Sequence, residues 1–218
     1  VKERTKELEA EKNRSESLLL NILPKEIAKE LSEHPNRTLA KEYPNVTVLF
    51  TDIEGFTRIS ADMSAEDVVT MLNKLFSMFD ERAQREGIEK IKTIGDAYMA
   101  ACGLTQDFEN DGAVKMVRFA QGLFEDIRIF NETYPVKLQI RIGVNSGPLV
   151  AGVIGKSKFI YDIWGDTVNV ASRMESTGIP MKVHVTESTR SQTESLFPYT
   201  ENTEIDVKGK GLMKTYFL

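Results

Sequence analysis

Apolar residues follow two alternating patterns along most of this chain. The nearly continuous apolar and β-branched run Val46–Thr51 predicts a buried strand. Apolar residues recur at three- and four-residue spacing in Met63–Glu86 and again in Asp111–Tyr134, which predicts two amphipathic helices. Residues 35–43 have a loop-like composition and separate this region from the residues before it.

Two shorter strands are predicted between the two long helices. They are Ile88–Ile91 and Ala97–Ala101, joined by a tight turn at residues 93–96. The first long helix has a capping signal, because Ser64 and Asp67 stand three residues apart at its start.

The region after the second long helix predicts a further hairpin and a short helix. Val136–Asn145 and Leu149–Ile154 are the predicted strands, with their turn at Ser146-Gly147-Pro148, and the helix covers Asp166–Ser176. The resulting order βαββαβ predicts an α+β fold with a ferredoxin-like core and additional C-terminal elements.

Residues 1–33 form a separate and highly charged segment with a helical composition. A thin apolar seam of under three heptads passes through Leu8, Ser15, Leu18 and Ile22. A solvated single helix is one interpretation, but an isolated helix with so much charge has little to stabilise it. We therefore predict a signalling helix or coiled-coil linker at 1–33, a separate globular domain at 44–218, and an upstream sensor domain that this chain lacks.

Composition limits the class of protein and its compartment. The net charge is −5, with 41% hydrophobic and 28% charged residues, which is ordinary for a globular protein and argues against nucleic-acid binding. A single cysteine, Cys102, excludes an internal disulfide and suits a reducing compartment. No apolar run reaches the roughly 18–20 residues of a transmembrane helix. We expect a cytoplasmic location, including the cytosolic part of a larger membrane-bound sensor.

Two aspartates stand at the ends of predicted strands, Asp52 after Val46–Thr51 and Asp96 in the hairpin turn. Each has an ordinary explanation, since aspartate caps helices and Gly-Asp forms turns. A ferredoxin-like sheet, however, places its first strand beside the central hairpin, so both carboxylates can reach one point. Such oxygen ligands suit Mg²⁺ or Mn²⁺, and a two-metal site of this kind assists phosphoryl transfer.

Asn169 and Arg173 are four residues apart on the predicted short helix and therefore share one face. Arginine suits charge that develops on phosphate oxygens. The alternative is a surface arginine paired with Asp166 or Glu175. The segment Lys208–Gly211 offers two cations and flexible backbone for a triphosphate, whereas the Walker A and GxGxxG motifs are absent.

Three runs together resemble the catalytic motifs of class III nucleotidyl cyclases: residues 48–57, 90–99 and 161–174. The resemblance extends over Pro44–Leu218 and implies the class III cyclase fold. The helical segment before it resembles the signalling helix that often precedes this domain in multidomain sensors.

The resemblance also implies roles for individual residues. Asp52 and Asp96 match the two metal-binding aspartates, with the backbone carbonyl of Ile53 as a further ligand for two Mg²⁺ or Mn²⁺ ions. Asn169 matches the residue that orients the ribose, and Arg173 matches the one that contacts the α-phosphate. In this family the site lies between two protomers, so the resemblance implies a homodimer with shared active sites.

The remaining matches concern the nucleotide. Lys92 and Asp162 match the pair that reads the purine, and Lys208 matches the lysine that binds the terminal phosphates, with Lys210 as a less favoured substitute. A lysine donor and a carboxylate acceptor fit adenine N1 and its 6-amino group, whereas guanine reverses both positions. The predicted function is adenylate cyclase, with ATP as the substrate and cyclic AMP as the product.

One position departs from part of the family, because Pro148 stands where some cyclases have a phosphate-binding arginine. This leaves open how the pyrophosphate is neutralised. The alternatives are a guanylate cyclase, a catalytically silent nucleotide-binding regulator and a diguanylate cyclase. Nothing in the sequence resembles the Gly-Gly-(Asp/Glu)-Glu-Phe turn of the last class.

Overall fold

The computed structural model describes residues 11, 14, 23, 25–33, 39–105, 111–155, 159–201, 204–207 and 209–218. These residues form two compact units, one from Val1–Lys41 with Val150–Ile163 and the other from Glu42–Leu149 with Trp164–Leu218. The predicted coiled coil falls mostly outside the described residues. Within that segment, Lys25–Glu33 is an α-helix, and Glu11 and Arg14 are helical.

The elements alternate along the chain as predicted. In the described residues the helices are α1 Lys25–Glu33, α2 Phe56–Ala61, α3 Ala65–Glu86, α4 Gly112–Thr133, α5 Asp166–Ser176 and α6 Glu187–Thr193. The strands are β1 Leu39–Ile53, β2 Glu89–Ile94, β3 Ala97–Cys102, β4 Ile140–Ile154, β5 Ile160–Trp164, β6 Val183–Thr186, β7 Thr200–Glu201, β8 Ile205–Val207, β9 Gly211–Met213 and β10 Thr215–Phe217.

The main sheet has the strand order β2-β3-β1-β4-β6-β10-β7, with β5 paired to β4. The order β4-β1-β3-β2 within it is the ferredoxin-like arrangement, so the predicted core is confirmed. Strand β1 is antiparallel to β3, with Thr51 opposite Tyr98. Strand β6 is parallel to β4, and helix α5 lies in the connection between these two strands.

Helices α3 and α4 pack together and cover the apolar core of the larger unit. The predicted cap of α3 is present, because Ser64 Oγ accepts from the Asp67 amide at 3.1 Å and donates to Asp67 Oδ2 at 2.6 Å. Arg82 of α3 pairs with Asp126 of α4 at 2.7 Å. The fully buried aromatic residues of this core are Phe79, Tyr98, Phe119 and Phe130.

The predicted hairpin around Ser146-Gly147-Pro148 is wrong, because β4 is one continuous strand. Gly147 provides a close approach and not a turn, since a Cβ there would lie 2.7 Å from Thr167 Oγ1. The Ser146 hydroxyl lies 2.9 Å from that of Thr47, which ties this part of β4 to β1. Pro148 is exposed, where its missing N–H costs little.

The predicted loop at residues 35–43 is also partly wrong, because β1 begins at Leu39. Within the smaller unit, Gly152 of β4 lets the Leu39 carbonyl come close, and a Cβ at Gly152 would lie 2.2 Å from that oxygen. Leu39 is buried there beside Leu31 and Val153. In the part of the chain that the structure describes, no helix is both long and apolar enough to cross a membrane.

Candidate active site

Asp52 and Asp96 come together at one edge of the β1-β3-β2 region. Asp52 is the second-last residue of β1, and Asp96 is the second residue of the two-residue turn between β2 and β3. Gly95, the first turn residue, has a φ of 61°, which a glycine adopts without strain. Because Thr51 lies opposite Tyr98, the next residue of β1 comes beside this turn.

The electrostatics of Asp52 agree with this placement. Burial, a side-chain hydrogen bond with Asp96 and the charge of Asp96 raise the pKa of Asp52 from 3.8 to about 6. The charge of Arg141 and the backbone amide of Ile53 lower this pKa, but they do not compensate. The site therefore holds two carboxyl groups that repel one another when both are ionised.

Asn169 and Arg173 lie on the exposed face of α5, whose bounds agree with the predicted helix. The opposite face of the helix is buried through Val170, Ala171 and Met174. Within the described residues, neither the Asn169 amide nor the Arg173 guanidinium makes a side-chain hydrogen bond or an ion pair. Both groups are thus available to a ligand or to another chain.

The surface ion pair considered as an alternative for Arg173 is not formed. Asp166 pairs instead with Lys210, at 2.7 Å between Oδ2 and Nζ. Glu175 pairs with Arg141, at 3.0 Å between Oε1 and Nε. Both carboxylates that were candidates to pair with Arg173 therefore have other partners.

The residues predicted to read the base and the phosphates are placed as follows. Lys92 lies half-buried on β2 opposite Met99 in the larger unit. Asp162 lies half-buried on β5 in the smaller unit, where its Oδ1 accepts from the Ile163 amide at 2.9 Å. Lys208 is outside the described residues.

Comparison with known proteins identifies the family. The profile of the adenylate and guanylate cyclase catalytic domain matches residues 38–218. The chain belongs to the class III nucleotidyl cyclases.

Individual relatives include cyclases of both nucleotide types. An adenylate cyclase of Mycobacterium tuberculosis is 39% identical over 211 residues, which cover 97% of this chain and 47% of that protein. Guanylate cyclase D of Mus musculus is 41% identical over 227 residues, which cover 100% of this chain and 20% of that protein. The chain thus spans less than half the length of these curated relatives.

A solved structure agrees closely with this cyclase domain. The catalytic core of a rhodopsin-guanylyl cyclase with converted specificity, in complex with ATPαS, superposes with a TM-score of 0.78 at 44% identity. The alignment covers 82% of this chain and 96% of that core. The likeness confirms the class III cyclase fold.

The cyclase domain offers oxygen ligands for a divalent cation. Among the described residues, no set of three or more His, Cys, Asp or Glu side chains is arranged as a metal site. Mg²⁺, however, commonly binds through one or two carboxylates together with substrate phosphates and water. The mutual repulsion of Asp52 and Asp96 is what a cation relieves, so the pair fits Mg²⁺ or Mn²⁺. The Ile53 side chain is buried in the core, so only its backbone carbonyl is a candidate ligand.

Arg141 also lies in this region, although its sequence context does not single it out. Arg141 Nη2 donates to Asp52 Oδ2 at 2.9 Å, and the same guanidinium contacts Glu54 and Glu175. The only signal in the sequence is a charged residue in the apolar run Leu138–Val144. Such a residue is typical of the solvent-facing side of a strand.

Proposed function

We propose that this cyclase domain is an adenylate cyclase, which converts ATP to 3′,5′-cyclic AMP and pyrophosphate. The observation that supports the reaction is the position of Asp52 near the end of β1, beside the β2–β3 turn that carries Asp96. The choice of nucleotide depends on Lys92 and Asp162, as argued below.

Asp52, Asp96 and the backbone carbonyl of Ile53 are the proposed ligands of two Mg²⁺ or Mn²⁺ ions. Bound there, the ions supply positive charge at the attacking 3′-hydroxyl and at the leaving pyrophosphate. The site has a negative potential of its own, since Glu54 and Glu175 lie near Asp52 and share one arginine with it. This potential attracts a cation from solution.

The reaction joins the ribose 3′-oxygen to the α-phosphorus and breaks the bond from that phosphorus to the bridging oxygen of pyrophosphate. The 3′-hydroxyl proton is released to solvent. Asn169 holds the ribose so that the hydroxyl is in line with the leaving group, and Arg173 donates to the α-phosphate oxygens as they gain charge. The exposed and unpaired state of both side chains in the described structure supports these roles.

ATP is the proposed substrate because of the polarity of the two base-reading side chains. The Lys92 ammonium only donates hydrogen bonds, which suits the N1 acceptor of adenine, and the Asp162 carboxylate only accepts, which suits the 6-amino group. Guanine presents a donor at N1 and an acceptor at O6. Each mispaired polar group costs about 1–3 kcal/mol. A similar core bound to ATPαS shows that this scaffold accommodates an adenine nucleotide in a relative.

The proposed active unit is a homodimer with two shared sites. One protomer supplies Asp52 and Asp96 to a site, and its partner supplies Asn169, Arg173, Lys92 and Asp162. Lys208 is the proposed contact to the terminal phosphates. Lys210 is the less favoured choice, because it already pairs with Asp166.

Guanylate cyclase is the second candidate, because relatives of comparable identity carry that name. A silent regulator is disfavoured, since both metal aspartates and the Asn169–Arg173 pair are present. The deciding experiment measures product from ATP and from GTP separately, with Mn²⁺ and then Mg²⁺, over a range of protein concentration. Cyclic AMP from ATP, with specific activity that rises with concentration, is the expected result. Cyclic GMP as the main product contradicts the base-reading argument, and no product contradicts the enzyme assignment.

A further inference from the structure

The guanidinium of Arg141 is shared by three carboxylates. Its Nη2 donates to Asp52 Oδ2 at 2.9 Å, its Nε donates to Glu175 Oε1 at 3.0 Å, and its Nη1 contacts Glu54. Every nitrogen of the fork therefore has its own acceptor. The exposed fractions of the Arg141, Asp52 and Glu175 side chains are 23%, 24% and 13%, so solvent screens these pairs less than it screens surface pairs.

The backbone brings these groups together at one place in the fold. Arg141 and Gly143 are two residues apart on β4, so they are on the same face of the sheet. A Cβ at Gly143 would lie 2.0 Å from the Glu175 amide nitrogen, which means that the last turn of α5 sits directly on β4 there. The Glu54 amide donates to the Gln139 carbonyl at 2.9 Å and holds the end of β1 beside the same strand.

We propose that Arg141 is a positioning residue of the cyclase site, an inference that rests on the proposed role of Asp52 as a metal ligand. Its Nη2 holds one oxygen of Asp52, which restricts the rotation of the carboxylate and leaves the other oxygen for a cation. Through Nε it also ties Asp52 to Glu175, and so to the helix that carries Asn169 and Arg173. Hydrogen-bond partners of metal ligands orient those ligands in this way, and their loss typically lowers metal affinity about 10- to 100-fold.

The geometry requires an arginine and not only a positive charge. A lysine at position 141 keeps the charge but presents one ammonium, which cannot donate along three separate directions of a planar fork. The Arg141→Lys variant therefore distinguishes a role in orienting Asp52 from a role in neutralising its charge. If Arg141 only neutralised the carboxylates, its removal would take a positive charge out of the site and, at a pH where Asp52 is ionised, would strengthen cation binding.

Another arginine in the fold provides a matched control. Arg82 also contacts two carboxylates, Asp126 at 2.7 Å and Glu86 at 3.1 Å, and its side chain is 14% exposed. Its partners are on α3 and α4 and are not candidate site residues. Arg82→Lys should lower thermal stability without changing how the protein binds a metal.

The full chain is titrated with Mn²⁺ alone, and the concentration of free Mn²⁺ is measured by electron paramagnetic resonance. The variants are Arg141→Lys, Arg141→Met and Arg82→Lys. We expect both Arg141 variants to raise the Mn²⁺ midpoint about 10- to 100-fold while Arg82→Lys keeps the wild-type midpoint. A wild-type midpoint in Arg141→Lys, or tighter binding in Arg141→Met, overturns the positioning role.

Two further measurements distinguish failure of this inference from failure of the proposed metal assignment. Glu175→Gln retains an acceptor for Arg141 Nε but weakens its hydrogen bond, so it should raise the Mn²⁺ midpoint several-fold even if an Arg141 variant fails to fold. An unchanged midpoint in Glu175→Gln contradicts the proposed link to α5. Wild-type protein that binds no Mn²⁺ overturns the metal assignment of the proposed function, whereas wild-type binding with unaffected Arg141 variants overturns only this inference.

Discussion

Asp52 lies beside the turn that carries Asp96, because Thr51 of β1 is opposite Tyr98 of β3 and Asp96 is in the turn just before β3. Two neighbouring carboxylates repel one another, and a proton or a cation between them relieves this repulsion. The pKa of Asp52, raised to about 6 by burial and by Asp96, shows how strongly the pair favours the proton when no cation is bound. The ionised form of Asp52, which the proposed metal site requires, is therefore the less favoured form in the metal-free fold.

Replacing Asp96 by asparagine should stabilise the metal-free protein and abolish its response to metal. The substitution removes the charge that repels Asp52, and each kcal/mol gained raises Tm by about 2–4 °C for a chain of this size. Thermal unfolding near pH 8, with and without Mn²⁺, measures both effects. Asp62→Asn, which changes an exposed aspartate, is the control and should alter neither. A lower Tm in Asp96→Asn would contradict the repulsion argument.

Metal binding should weaken in acid. A cation must displace the proton from Asp52, whose folded-state pKa is about 6, so the Mn²⁺ affinity should fall about tenfold per pH unit below that value. The effect on folding has the opposite sign. Because the folded pKa lies above the ordinary 3.8, this group contributes stability below about pH 4, and the contribution is lost as pH rises through about 6. Mn²⁺ titrations near pH 5 and pH 7.5 test the predicted loss of affinity in acid. Equal midpoints at the two pH values would refute it.

Two inactive variants should restore activity when they are mixed. If Asp52 and Arg173 of one protomer serve different sites, a heterodimer of Asp52→Asn and Arg173→Ala contains one intact site and one doubly defective site. Equal amounts of freely exchanging chains should then give about one quarter of the wild-type rate, because half of the dimers are mixed and half of their sites are intact. The cyclic nucleotide product is measured. No recovery after demonstrated subunit exchange would rule out the shared site.

The double variant Lys92→Glu, Asp162→Cys should move the nucleotide preference from ATP toward GTP. Each mispaired group costs about 1–3 kcal/mol, so the ratio of kcat/KM for ATP over GTP should fall by a factor of roughly 5 to 150 for each of the two positions. Each single variant is expected to weaken both substrates, since it leaves one edge of either base unmatched. An unaltered ratio in the double variant would show that other residues read the base.

The sequence was sufficient to predict the core elements and the aspartate pair. The predicted helix Asp166–Ser176 agrees with the bounds of α5. The positions of Asp52 and Asp96 predicted that they lie close together, because ferredoxin-like topology places β1 beside the β2–β3 hairpin. Gly147 and Pro148 are typical turn residues, and they led to the wrong prediction of a hairpin within β4. A side chain at position 147 would clash with Thr167, which explains the glycine there. This reason depends on tertiary packing, so turn preferences along the sequence could not reveal it.

Arg141 could not be found by the same reasoning. Its partners Asp52 and Glu175 are 89 and 34 residues away along the chain, and its neighbours Ile140 and Ile142 are typical of a half-buried strand. The role of such a residue depends on which helix crosses its strand and how closely. That information exists only once β4, β1 and α5 have been assembled.

Gly143 allows α5 to lie this close to β4, and it also restricts which substitutions the domain can accept. Every amino acid that a single base change in a glycine codon can produce has a Cβ, and a Cβ at this position would collide with the backbone of Met174 and Glu175. A lineage that loses this glycine must move the helix together with Asn169 and Arg173, or lose the fold. The spacing between α5 and β4 therefore depends on Gly143, and with it the placement of the proposed site residues Asn169 and Arg173.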